Sequence, residues 1–236
     1  MSLQHFFLEE QIIEGGCFTL NLSDEDLHHA KVLRLAPGEH IGVIDAKGIY
    51  FECEILDYDF NVRVCKRDKH IDNFSITLCP GLAKGSKLDD VIKSCTEIGV
   101  NDFYPISFER CVVKLDNNKS QKRERRWQKI AKSAAMQSGR YSIPFVHHIQ
   151  NNFDFLKKYD AVYLFWEEAD NLDFIHEIKH KNIAIVIGPE GGITNNEVDK
   201  IKSINKNTYV ASLGSNILRT ETANIVATTL IKFNHV

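Results

Sequence analysis

Two short glycine-rich stretches hold the residue types best suited to chemistry in this chain. Gly188-Pro189-Glu190-Gly191-Gly192 follows the apolar, β-branched run Ile183–Ile187, and Ser212-Leu213-Gly214-Ser215-Asn216 follows Thr208–Ala211. Both are too glycine-broken to extend a strand or helix, so each reads as a turn leaving a strand. Thr194-Asn195-Asn196-Glu197 then reads as a capping box opening a helix, and a second helix is expected over about 220–233. The plain reading of these glycines is turns between elements. Two such turns at neighbouring strand ends would also bare backbone N–H and C=O groups at one edge of a sheet, where α/β proteins bind nucleotides and cofactors.

Familiar nucleotide signatures do not fit. Gly81-Leu82-Ala83-Lys84-Gly85-Ser86-Lys87 approaches a P-loop but is one residue short and places lysine after serine. Gly188–Gly192 is G-x-x-G-G and not G-x-G-x-x-G. No serine elbow, H-E-x-x-H or kinase set is present.

The elements that must position these turns follow from rhythm. Up to residue 70, short strands alternate with tight turns: Cys17–Leu20, His40–Ile44, Ile49–Ile55 and Asn61–Lys66, with one helix capped by Ser23 and carrying His28, His29, Lys31 and Arg34. That pattern suggests a small β-barrel over 1–70, with the polar Lys66–Asn73 as linker. Over 74–236 strands alternate with helices, as in an open, mostly parallel α/β sheet covered on both faces. Its expected strands are Ser75–Cys79, Asp102–Ile106, Ala161–Trp166 and the two before the glycine turns, with Arg110–Lys114 extended. Ser86-Lys87-Leu88-Asp89 reads as a capping box for a helix ending at Gly99, and further helices are expected over about 120–138 and 173–179.

The chain has 236 residues, an ordinary charged fraction and a net charge of −3, which argues weakly against a nucleic-acid partner. Distribution qualifies the sum. Lys119, Lys122, Arg123, Arg125, Arg126, Lys129 and Lys132 crowd one helix with only Glu124 opposing them, as either a solvated face or a phosphate track. Six cysteines without C-x-x-C or histidine spacing read as reduced thiols of a cytosolic protein, with no metal site. No signal peptide and no membrane span are expected.

Taken together, the two turns resemble signature loops of a known family. Ile187–Gly192 and Leu213-Gly214-Ser215-Asn216-Ile217-Leu218-Arg219-Thr220-Glu221-Thr222-Ala223 are similar to those of the small-subunit ribosomal RNA methyltransferase E (RsmE) family, within the SPOUT superfamily of knotted methyltransferases. Val32-Leu33-Arg34 with Pro37-Gly38, Lys93–Val100, Phe108-Glu109-Arg110-Cys111 with Val113-Lys114, and Gln137-Ser138-Gly139-Arg140 before Pro144 resemble its other motifs, in order. One departure is Ser215-Asn216, where the family commonly has proline-arginine.

The resemblance implies an N-terminal PUA-like barrel, a SPOUT domain with a trefoil knot, a homodimer, S-adenosyl-L-methionine as methyl donor, and N3 of a uridine in 16S rRNA of the small ribosomal subunit as acceptor. Under it, the cofactor-facing residues are Leu164, Phe165, Trp166, Ile187, Gly188, Pro189, Glu190, Gly191, Gly192, Ser212, Leu213, Gly214, Ile217, Leu218 and Thr220. Leu213, Ile217 and Leu218 would pack on the adenine or serve as ordinary core. Arg219 would stabilise charge developing on the base, or else form a structural ion pair with Glu221 or Glu190. Glu97 is a possible base or a helix residue. Arg34, Lys84, Arg110, Lys114, Gln137 and Arg140 are the RNA-side candidates. The rival readings are a knotted methyltransferase acting on another RNA, a noncatalytic RNA-binding assembly factor, and a small-molecule nucleotide binder.

Overall fold

The computed structural model describes residues 3–12, 16–69, 72–169 and 178–235. Contacts divide the chain into Met1–Ile71 with Ala135–Ile143, and Asp72–Ala134 with Pro144–Val236.

The first unit contains β1 (His5–Phe7), β2 (Cys17–Thr19), α1 (Asp24–Val32), β3 (His40–Ile44), β4 (Tyr50–Ile55) and β5 (Asn61–Asp68). They make one five-stranded sheet in the order β1-β3-β4-β5-β2, with β1 parallel to β3 and the other pairs antiparallel. This is a mixed half-barrel with two edge strands. The sequence reading had no strand at His5–Phe7, a segment too short to show a period. The turn between β3 and β4 is built by Asp45, whose Oδ1 accepts from Lys47 N and Ile49 N at 2.9 Å. Ser23 caps α1 as expected, accepting from Asp26 N. Phe6, Ile41, Val43, Phe51, Cys53, Ile55 and Val62 fill the core, joined by Met136. By their contacts residues 135–143 cluster with this unit.

The second unit contains β6 (Ser75–Pro80), α2 (Lys87–Ile98), β7 (Asp102–Phe103), most of α3 (Asn117–Ser138), β8 (Phe145–Val146), a 3-10 turn (Asp154–Lys158), β9 (Ala161–Phe165), β10 (Asn182–Ile187), α4 (Asn195–Ile204), β11 (Thr208–Ala211) and α5 (Thr220–Phe233). Its six strands run in the order β11-β9-β10-β6-β7-β8, and every pair is parallel. Ile183, Ala184, Ile185 and Val186 of β10 are wholly buried because both faces of a parallel sheet are covered. All strand C-termini therefore open on one edge. The expected Thr194/Glu197 box forms in full at the start of α4 and is worth about 1 kcal/mol.

Three expectations change. Ser86 makes no side-chain capping hydrogen bond, its backbone at φ −98°, ψ 7° lying outside the extended region of a capping residue, and the Asp89 carboxylate turns to Arg126 Nη2 at 2.6 Å and Trp127 Nε1 at 3.0 Å. The strand at 102–106 is only Asp102–Phe103, with Ile106 rejoining the sheet through isolated bridges to Gly81 and Gln150. Arg110–Lys114 is irregular and not strand. The helix expected over 173–179 falls mainly outside the described residues. No described helix is long and apolar enough to cross a membrane.

The packing sorts the thiols. Cys53, Cys79, Cys95 and Cys111 are buried, while Cys17 and Cys65 are exposed. Desolvation pushes the Cys53 and Cys95 thiols up to about 12. Iodoacetamide at pH 8 is expected to label Cys17 and Cys65 in the native protein and all six cysteines only in denaturant, read by intact mass and peptide mapping.

Candidate active site

The edge where β9, β10 and β11 end holds a cleft of about 500 Å³. Three segments wall it: Phe165–Glu167 after β9, Ile187–Gly192 after β10, and Ser212–Thr220 after β11, with Lys87 and Ala223 completing the lining. Trp166 joins them. Its backbone N–H donates to Ala211 O at 2.7 Å, and its indole Nε1 donates to Ile193 O at 3.1 Å. Ser212 folds the third loop locally, its Oγ accepting from Gly214 N at 3.2 Å.

The glycines of the second loop are demanded by close approach. A Cβ on Gly191 would lie 2.7 Å from the Arg110 carbonyl oxygen. On the facing loop, a Cβ on Gly81 would collide with the Gly188–Pro189 peptide. The loop after β6 and the loop after β10 are thus packed backbone to backbone. Nothing larger than hydrogen fits between them.

A small charge clamp locks the same two loops. Glu190 Oε1 accepts from Lys84 N at 3.2 Å and pairs with Lys87 Nζ at 3.1 Å, and Lys87 Nζ also lies 3.8 Å from Glu221 Oε2 on α5. Desolvation pushes the Glu190 carboxyl upward. The hydrogen bonds from its own backbone N–H, from Lys87 and from Lys84 outweigh that and hold it below the usual carboxylate value.

Of the fifteen residues expected to face a cofactor, all but Leu164 line this cleft. Leu164 is fully buried in β9, one residue short of the strand end, and supplies core instead. Arg219 lines the cleft, is exposed, and stands at the start of α5. The alternative ion pair to Glu190 or Glu221 is absent, since Lys87 takes both carboxylates. Glu97 is exposed at the end of α2 and does not line the cleft. The carboxylate that does, besides Glu190, is Glu167. Sequence reasoning missed Glu167 and Lys87, because neither stands in a glycine turn.

The RNA-side candidates separate by unit. Lys84 and Arg110 flank the cleft, the first through its N–H to Glu190 and the second through Nη1 to Gly191 O at 3.4 Å. Lys114 is exposed in the same unit. Arg34, with a positive φ of 57°, Gln137 and Arg140 belong to the first unit.

Two consequences can be measured. Gly81→Ala is expected to lower stability by about 1–3 kcal/mol, the usual cost of overpacking against an unyielding backbone, read by urea unfolding. Glu190 has a depressed carboxyl, so its clamp contributes stability above the unfolded carboxylate range near pH 4.3 and loses it as pH falls through the lower folded value. The stability difference between wild type and Glu190→Gln should accordingly be full at pH 7 and shrink below about pH 4.

The comparisons with known proteins agree with this geometry. Residues 70–232 match the RNA methyltransferase domain family, and residues 22–60 match the RNA methyltransferase PUA domain family. The ribosomal RNA small subunit methyltransferase E of Bacillus subtilis is 32% identical, covering 98% of this chain and 96% of its own. That of Rickettsia conorii is 30% identical, covering 96% and 94%. The crystal structure of the Neisseria gonorrhoeae ribosomal RNA small subunit methyltransferase E, bound to S-adenosyl methionine, is 29% identical with a TM-score of 0.81 and covers 98% of this chain and 97% of that one. The chain, with its half-barrel, its parallel sheet and its three-loop cleft, belongs to the ribosomal RNA small subunit methyltransferase E family.

Proposed function

We propose that the chain transfers a methyl group from S-adenosyl-L-methionine to N3 of a uridine in 16S rRNA, working in the cytosol as a homodimer. The observation that carries this reading is the cleft itself: three backbone-rich loops at one sheet edge, with Gly81 and Gly191 letting the loops that wall it pack backbone to backbone. Such a wall suits a neutral adenine and ribose, which need shape and backbone hydrogen bonds more than charge. The cofactor supplies an electrophilic methyl on a sulfonium, and displacement by N3 leaves S-adenosylhomocysteine.

The chain's residues have the remaining tasks. Loops and cleft align the acceptor in line with the methyl, and positioning of this kind supplies much of the acceleration. Uridine N3 carries a proton that must leave, and Glu167, the lining carboxylate outside the Lys87 clamp, is the candidate to take it. Charge left on the base falls to Arg219, the exposed lining cation that the Lys87 clamp leaves uncommitted to Glu190 or Glu221. Lys84, Arg110 and Lys114 would hold phosphates beside the cleft, with Arg34, Gln137, Arg140 and the basic face of α3 as further backbone contacts. Ser215-Asn216 line the cleft without a charge, so transfer here rests on Arg219. The homodimer rests on the family resemblance.

The test is transfer of tritiated methyl from labelled cofactor to 30S subunits lacking the modification, with nucleosides resolved by chromatography. Label in N3-methyluridine is expected, and Arg219→Ala should lower kcat by about 100-fold while cofactor affinity changes little. Label in another nucleoside would keep the reaction and overturn the acceptor. Cofactor binding without label would point to a different RNA, and the absence of both label and cofactor binding would favour the assembly-factor reading.

A further inference from the structure

The same sheet edge holds a second cavity, of about 250 Å³, that shares no residue with the cofactor cleft. It lies where the other three strands run out. Leu82, Ser107 and Asn151 line it from the segments beyond β6, β7 and β8, which the Gly81–Ile106–Gln150 bridges carry past the strand ends in parallel. The opposite wall is the first two turns of α3, where Asn117, Ser120, Gln121 and Glu124 fall at i, i+3, i+4 and i+7 on one face.

The chemistry of this lining is narrow. Its one carboxylate, Glu124, is nearly buried and already engaged: Oε2 takes His148 Nδ1 at 2.8 Å and Oε1 takes Ile149 N at 3.0 Å. No lysine or arginine lines it, so it does not suit a phosphate. What remains is the His148 ring, held by Glu124, with hydroxyl and amide hydrogen-bonding groups over an apolar floor of Leu82, Leu115 and Ile149. That combination fits a flat, uncharged, hydrogen-bonding ring. The volume is below the ~300–1,000 Å³ of cavities for drug-sized ligands, so it holds one base and not a nucleotide. Lysines and arginines are near in sequence but do not line it: Lys114 precedes the helix, and Lys122 and Arg123 stand on other faces of α3. Phosphates held outside with a base turned inward is how single-stranded RNA is read.

We propose that this cavity takes an unpaired base of the substrate RNA, a neighbour of the methylated nucleotide, and so helps to choose the site of methylation. The proposal rests on the RNA reading above. A base seated here is not the acceptor, because the acceptor must reach the cofactor cleft and the two lining sets are disjoint.

The experiment compares wild type with Ser120→Phe, which fills the cavity, and Gln121→Ala, which removes an amide from it. Both are assayed on unmodified 30S subunits, with cofactor dissociation constant and melting temperature measured alongside. Each variant is expected to raise KM for 30S subunits at least tenfold, with cofactor affinity unchanged. On subunits reconstituted with an abasic residue next to the acceptor, wild type should lose the same factor and Gln121→Ala should lose nothing further, the non-additivity of two changes in one contact. Variants that match wild type within twofold on intact subunits would overturn the cavity's role alone. Losses that add fully to every flanking abasic substitution would also overturn it. Wild type that neither binds nor methylates 30S subunits would overturn the RNA reading and the base occupant with it.

Discussion

The structure depends on a contact with no side chain in it. Gly81 meets the Gly188–Pro189 peptide, and Gly191 meets the Arg110 carbonyl, closer than any Cβ allows. Those approaches bring the loop after β6, the segment after β7 and the loop after β10 into one rigid wall. Everything placed on that wall inherits its position from backbone, which is stiffer than any rotamer. The glycines are therefore structural and functional for the same reason.

Charge completes what close packing begins. Glu190 belongs to the glycine loop, Lys84 and Lys87 to the segment entering α2, and Glu221 to α5. One lysine between two carboxylates ties three chain segments that are far apart in sequence. The arrangement leaves Arg219 in the cleft unpaired with either acid. Partly buried pairs of this kind contribute little net stability but fix geometry well, which is what a transfer reaction requires.

The parallel sheet decides where these features appear. Because all six strands run the same way, six C-termini open on one edge, and the chain uses the β9–β10–β11 side for the larger cleft and the β6–β7–β8 side for the smaller cavity. A methyl donor and a polymeric acceptor make different demands, one for enclosing backbone and one for selective polar groups. The two openings on this edge have disjoint linings.

Local signals were legible where local physics decides. The apolar run Ile183–Ile187, the Thr194/Glu197 box, the Gly99 helix stop and the glycine turns follow from burial, capping and turn chemistry within a few residues, while the cleft lining was legible through the resemblance of its loops to a family's motifs. The rhythm of short strands and turns, then of alternating strands and helices, pointed to the small barrel and the α/β unit. Tertiary structure decided the rest. Asp89 looked like a capping partner until Trp127 and Arg126, nearly forty residues on, competed for its oxygens. Residues 135–143 joined the first unit because Met136 fits its core, and Lys87 entered the cleft because β6 lies beside β10. The polar stripe of α3 faces a cavity only because three strand ends meet it there. Such outcomes turn on which partner is nearest after folding, and the spacing of residues along one segment carries no record of that.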